Sequence, residues 1–207
     1  MNYEELIETH KASGAGVTIS CMPVSRKDAT GFGVVKVDDT GRVTEFVEKP
    51  QTDEAVEAAS TPGRDCIASM GIYVFNRDLL FEMLESSDYT DFGKEVFPAT
   101  IASQHVQMHL FDGYWEDIGT IRSFYESNLA LAKADSEFDL MTADAPIYTR
   151  ARFLPPTQMS GAHVKDSLIA NGCVIGEGAV IENSVIGLRT IIGPNVTIKD
   201  SIVMGCD

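Results

Sequence analysis

Asp117 stands in the stretch Tyr114-Trp115-Glu116-Asp117-Ile118-Gly119-Thr120, just past an apolar, strand-like run and just before a glycine and a helix start. That setting puts a carboxylate at the rim of a sheet, where open α/β folds bind their ligands. The chemistry it suggests is half of a metal-assisted phosphoryl transfer. A second element, Glu45-Phe46-Val47-Glu48-Lys49-Pro50, ends another strand with a lysine suited to neutralise a phosphate. Plainer readings stay open from the residues alone. Asp117 could cap the following helix, Lys49 could be an idle exposed charge, Glu48 a surface charge or salt-bridge partner, and Ser69 a turn hydroxyl. No glycine-rich phosphate loop occurs in the sequence.

Several elements must position these groups. Asn2 to Glu5 resembles a capping box and opens a short helix over Leu6 and Ile7. Val17 to Met22 reads as a buried strand. Gly33 to Val37, a turn at Asp38-Asp39-Thr40-Gly41, and Arg42 to Val47 give a hairpin signal. Gln51 to Arg64 is polar and alanine-rich, a surface loop or loose helix. Ile67 to Phe75 is strand-like, and Asn76 is expected to cap a helix whose Leu79, Leu80, Met83 and Leu84 share one face. Val106 to Phe111 alternates apolar and polar residues toward Asp117, with His105 and His109 read as core or surface residues without chemistry. Ile121 to Lys133 is a second helix, and Tyr114 and Trp115 read as packing residues. Strands alternating with helices to about residue 133 predict an α/β sheet.

Composition bounds the class. A chain of 207 residues with 44% hydrophobic and 23% charged content can bury a sizeable core. A net charge of −15 argues against a nucleic-acid partner, although a local basic cluster could still take an anionic substrate. Cys21, Cys66, Cys173 and Cys206 include no C-x-x-C pair, so they read as reduced, mostly packed thiols. No run approaches the roughly 20 apolar residues of a membrane span, and no signal pattern opens the chain. A reducing, cytoplasmic compartment is expected.

After residue 133 the character changes. Residues 134–161 lack a clear period and hold Pro146, Pro155 and Pro156, so they read as a linker. In 162–207, Val164, Ile169, Ile175, Ile181, Ile186, Ile192, Ile198 and Val203 recur every five or six residues, three steps summing to 17. Asp166-Ser167, Asn183-Ser184 and Asp200-Ser201 repeat at the same interval of 17. A three-sided parallel β-helix accounts for this, with aliphatic residues pointing into a prism and glycine or asparagine at its corners. A string of ordinary hairpins does not require such a register.

These strings together resemble ADP-glucose pyrophosphorylase (glucose-1-phosphate adenylyltransferase). The likeness rests on Glu45 to Pro50, Ile67 to Val74, Asp91-Phe92-Gly93, Asp112 to Thr120, Ala145 to Thr149, Phe153-Leu154-Pro155-Pro156 and the β-helix. It implies the C-terminal part of a Rossmann-like nucleotidyltransferase α/β domain (1–133), a linker (134–161) and the first coils of a left-handed parallel β-helix (162–207). The implied reaction joins ATP and glucose 1-phosphate into ADP-glucose and pyrophosphate, in glycogen or starch biosynthesis. By resemblance Lys49 holds the sugar phosphate, Glu48 accepts from sugar hydroxyls, Ser69 adds a polar contact, and Asp117 is one of two carboxylates holding Mg2+. The family also implies an oligomer, usually a tetramer, and a plastid stroma rather than cytoplasm for a piece of a plant protein.

The family's glycine-rich ATP loop, its first metal-binding aspartate and the far end of its β-helix have no counterpart in these residues. The expectation is a chain inactive alone, whose sheet exposes an apolar edge and tends to aggregate. A non-catalytic regulatory subunit of the same family is the alternative. A β-helix acyltransferase ranks lower, because His163 lies before the repeat proper.

Overall fold

In the computed structural model the described residues are 1–60, 66–138, 140, 146–148 and 150–206. The end of the polar stretch after Ser60, Ala145 and Thr149 of the quoted strings, and parts of the expected linker lie outside them. The chain divides by compactness into Met1–Gly113 and Tyr114–Asp207. Among the described residues no helix is long and apolar enough to cross a membrane.

The first unit opens with α1 (Tyr3–Ser13). Asn2 caps it by accepting from the Glu4 N–H at 3.0 Å, and Gly14 closes it at φ 63, its N–H donating to Lys11 O. Leu6 and His10 point inward from this helix. A five-stranded sheet follows in the order β3-β2-β4-β1-β5. Its strands are β1 (Val17–Val24), β2 (Gly33–Val37), β3 (Val43–Glu48), β4 (Cys66–Phe75) and β5 (Val106–Leu110). Among the described residues only the β1–β5 pairing is parallel; the others are antiparallel, β2–β3 as the hairpin signal requires. Val17, Ile19 and Cys21 of β1, an inner strand, meet Val35, Val37, Val43, Phe46, Phe97 and Val106 in one core. The other face of β1 buries Thr18 against His10, with 2.8 Å between Oγ1 and Nδ1.

The edge strand β5 is not bare. The β2–β3 turn curls across to it, Met108 N–H donating to Gly41 O at 2.8 Å and Arg42 bridging Gln107. This turn protects part of the edge that the apolar alternation of β5 would otherwise offer.

Three helices complete the unit. α2 (Asp53–Ala59) lies within the stretch read as loop or loose helix, capped by Thr52. α3 (Arg77–Glu85) starts after Asn76, but Asn76 makes no side-chain cap. Its amide donates instead to Ala15 O at 3.3 Å and faces His10 Nε2 at 3.2 Å, because those inward-facing polar groups need partners more than an exposed helix end does. Of the expected apolar face only Leu79 packs on the main core, and Leu84 is exposed. A π-helical turn over Phe92–Val96 then leads into α4 (Phe97–Ser103).

Among the described residues the second unit holds α5 (Ile121–Ala130) and nine short strands. They are β6 (Gln158–Met159), β7 (His163–Lys165), β8 (Leu168–Ile169), β9 (Val174–Ile175), β10 (Val180–Glu182), β11 (Val185–Ile186), β12 (Ile191–Ile192), β13 (Thr197–Lys199) and β14 (Ile202–Val203). They form three parallel three-stranded sheets, β7-β10-β13, β8-β11-β14 and β6-β9-β12. Ile181 stands in register with Val164 and Ile198, and Ile186 with Ile169 and Val203, so the repeat of the sequence is the coil of a prism. Cys173, Ile175, Ala179, Ile181, Ile186 and Ile192 fill it. The prism starts at Gln158, inside the stretch read as linker, so His163 on β7 lies within the coils and not before the repeat.

The recurring Asx-Ser pairs build one corner. Asp166, Asn183 and Asp200 share left-handed φ values of 45, 47 and 46°, which short polar side chains tolerate. Each serine then supports the next coil: Ser184 N–H donates to Ser167 Oγ at 3.0 Å, and Ser201 N–H to Ser184 Oγ at 3.2 Å. Helix α5 rests on this corner through Tyr125, whose hydroxyl donates to Asn183 O at 2.6 Å.

Candidate functional site

Glu48 ends β3 opposite Gly33 of β2, and Lys49 follows as the chain leaves the sheet. Lys49 holds φ 46°, a left-handed conformation that its own side chain disfavours. Its N–H donates to Phe32 O at 3.0 Å and its carbonyl accepts from Gln51 Nε2 at 2.8 Å, which together pin the bend. Four of the seven described non-glycine residues with positive φ are Asp or Asn at prism corners; the others are Lys49, Phe153 and Arg189. Arg189, with Arg150 and Arg152, lines a hollow of about 440 Å³ in the second unit. Such strain persists where neighbouring contacts over-determine the backbone, here the hydrogen bonds to Phe32 and Gln51.

Glu48 is the unusual acid. Its side chain is only 25% exposed, its sole ionic partner is Lys49 Nζ at 3.8 Å, and no hydrogen bond reaches it among the described residues. A half-buried carboxylate without donors is poised to accept them from a ligand.

Ser69 and Tyr73 come from β4, where the pairing with β1 is bulged. Ile19 opposes Tyr73 and Cys21 opposes Ser69, so the three intervening residues of β4 face one of β1. The bulge bends at Gly71 (φ 72°), whose N–H donates to Ser69 Oγ at 3.3 Å, so Ser69 does serve as a turn hydroxyl. The same hydroxyl reaches Tyr73 Oη at 3.4 Å. Burial pushes the Tyr73 phenol above its usual range; the Ser69 contact pulls it back, and the Glu48 and Asp91 charges raise it. Tyr73 therefore links Ser69 to the field of Glu48. Its ring stacks on Phe92 (6.2 Å, 7°) and tilts against Phe97 (4.7 Å), which joins the site to the aromatic part of the core.

The π turn forms the neighbouring wall. Asp91 accepts from Lys94 N–H at 2.8 Å, while Glu95 turns back to accept from the N–H groups of Thr90 (2.7 Å) and Asp91 (3.0 Å). Those N–H groups hold the Glu95 carboxyl below its usual range. Single π turns recur at functional sites. Glu48, Lys49 and Ser69 thus lie within one unit, and Tyr73, Gly33 and Gly93 join them. The sequence reading missed these three because β4 is inserted between β1 and β2, a non-local pairing that no local pattern announces.

Asp117 belongs to the second unit. It does not cap α5: Thr120 does, in a reciprocal pair with Ser123. The exposed Asp117 carboxylate instead folds over Gly119. Just before it, Tyr114 and Trp115 line a cleft of about 320 Å³ with Ile118, Leu131 and Phe138. Among the described residues no three His, Cys, Asp or Glu side chains cluster as metal ligands. Asp117, a single exposed carboxylate, does not by itself constitute a metal site.

The fold class is therefore an α/β unit with a charged strand end, followed by a three-sided parallel β-helix. Residues 1–134 match the nucleotidyl transferase family and residues 152–207 the GLGC left-handed parallel β-helix domain. With more than half of its length in the first match, the chain belongs to the nucleotidyl transferase family.

Proposed function

We propose that this chain carries the sugar-phosphate side of a glucose-1-phosphate adenylyltransferase, which makes ADP-glucose and pyrophosphate from ATP and glucose 1-phosphate for glycogen or starch. The observation that carries the reading is the donor-free Glu48 carboxylate beside a strained Lys49. A phosphorylated hexose complements both at once, its hydroxyls donating to Glu48 and its phosphate meeting the Lys49 ammonium. Ser69 and Tyr73 supply hydroxyls on the β4 side.

In this reaction a phosphate oxygen of the sugar attacks the α-phosphorus of ATP, and pyrophosphate leaves with the electron pair of the broken bond. The residues contribute positioning and charge stabilisation, which dominate phosphoryl and nucleotidyl transfer. Lys49 holds the attacking phosphate without neutralising it covalently, and Glu48 fixes the ring so that one oxygen faces the α-phosphorus. Mg2+, when bound, would offset the charge of the phosphates, with Asp117 as one ligand. The two-domain match and the paired Glu48-Lys49 strand end support this reading over a β-helix acyltransferase, which needs neither.

Calorimetric titration with glucose 1-phosphate tests it. The native chain is expected to bind, and Glu48→Ala to lose about 1.5–3 kcal/mol, roughly 10- to 150-fold in Kd, as for hydrogen bonds to a charged group. Equal binding by native protein and Glu48→Ala removes Glu48 from the site and the proposal with it.

A further inference from the structure

Two glycines face the Glu48 carboxylate. Gly33 lies opposite it on β2, and Gly93 is the second residue of the π turn. A Cβ on Gly93 would stand 2.6 Å from Glu48 Oε2 and 3.1 Å from its Cδ; one on Gly33 would stand 3.0 Å from the same oxygen. The two positions differ in what else they meet. At Gly33 the added carbon runs into the ring of Phe46, a core residue, so substitution there disturbs packing. At Gly93 the same ring stays 3.4 Å away, and the obstacle is the free end of the Glu48 side chain.

We propose that Gly93 is a positioning residue for the Glu48 carboxylate. Its bare Cα lets the carboxylate lie against the π turn, and that fixes how far Glu48 projects and which hydroxyl arrangement of a phosphorylated hexose it meets. The inference rests on the sugar-phosphate reading above. Gly93 is not in a left-handed conformation, since its φ is not positive, so alanine fits its backbone and is the better helix former. A methyl group there leaves the turn intact and moves the carboxylate outward. The specificity of the site is therefore set partly by an atom that is absent.

Titration of glucose 1-phosphate and galactose 1-phosphate into native protein, Gly93→Ala, Glu48→Asp and the double variant tests this. Gly93→Ala is expected to melt no lower than native protein yet bind glucose 1-phosphate about tenfold or more weakly, since a ~1 Å misplacement can cost up to ~10²-fold. Its preference for glucose 1-phosphate over the epimer narrows. In the Glu48→Asp background the shorter side chain clears the methyl group, so adding Gly93→Ala changes affinity by less than about threefold, a non-additivity expected only of groups in contact. Gly93→Ser carries the same Cβ and stands in if the alanine variant does not reach the native melting temperature. Two results overturn the proposal alone: glucose 1-phosphate binding by Gly93→Ala unchanged from native, or losses that multiply in the double variant. Failure of the native chain to bind the sugar phosphate overturns the parent reading, and this one with it.

Discussion

Lys49 contributes a charge and stores backbone strain, and two substitutions separate these effects. Lys49→Ala and Lys49→Gly both delete the ammonium group. At an effective dielectric of about 20, unit charges 4 Å apart attract by about 4 kcal/mol. The Lys49 side chain is 59% exposed, so solvent screening brings the usable part to about 2–3 kcal/mol, roughly 30- to 150-fold in Kd for glucose 1-phosphate. Both variants should lose that much. Their stabilities should diverge, because at φ 46° alanine keeps a left-handed penalty of about 1–2 kcal/mol that glycine escapes. Glycine's greater freedom in the unfolded chain returns about 0.5–1 kcal/mol of that. The net expectation, taken at the middle of these ranges, is that Lys49→Gly is the more stable by about 0.75 kcal/mol, or roughly 3–6 °C in Tm for a domain near 100 residues. Calorimetric titration reads the first quantity and a thermal melt the second. Equal melting temperatures would refute the strain argument, and sugar-phosphate binding retained in either variant would refute the charge argument.

Two further predictions concern the scaffold. Ile181→Ala should destabilise the prism by about 2–5 kcal/mol in denaturant unfolding, because Ile181 is fully buried between Val164 and Ile198; a loss under about 1 kcal/mol would show a core that collapses freely. Glu95 has its folded pKa depressed by the N–H groups of Thr90 and Asp91, so its stabilisation of the π turn is present above its unfolded value near 4.3 and fades as pH falls through the lower folded one. Amide exchange at Thr90 and Asp91, corrected for intrinsic rates, should accelerate over that acid range in native protein and show no such pH dependence in Glu95→Gln; parallel profiles would sink the assignment.

The prism was legible because each of its requirements is local and repeats: an aliphatic residue such as Ile181 inside, an Asx-Ser pair at the corner, and the same pair 17 residues on. Its first strand escaped notice because Gln158 and Met159 are both exposed and carry no inward aliphatic signal. The strands of the first unit are also readable, β2 and β3 by their turn and β1 by the run Val17 to Met22, whose first five residues are buried. What could not be read depends on non-local partners. Asn76 has the residue type of a helix cap, yet His10 and Ala15 claim its amide. The β2–β3 turn reaches Met108 only because the sheet curls. Lys49 stands out from its type and its place at a strand end, Glu48 and Ser69 through resemblance, whereas Tyr73 and Gly93 join the site only once β4 and the π turn are placed beside them.

The serine-linked corner has a consequence for how such a chain can change length. Every coil hands its successor the same hydroxyl acceptor and the same interior socket, so seventeen codons form a unit that can be duplicated or deleted with its neighbours still matched. A shift of one residue within a side would instead turn aliphatic side chains outward along the whole remaining stack. Genetic change in this region should therefore arrive in whole turns or as loops at the vertices.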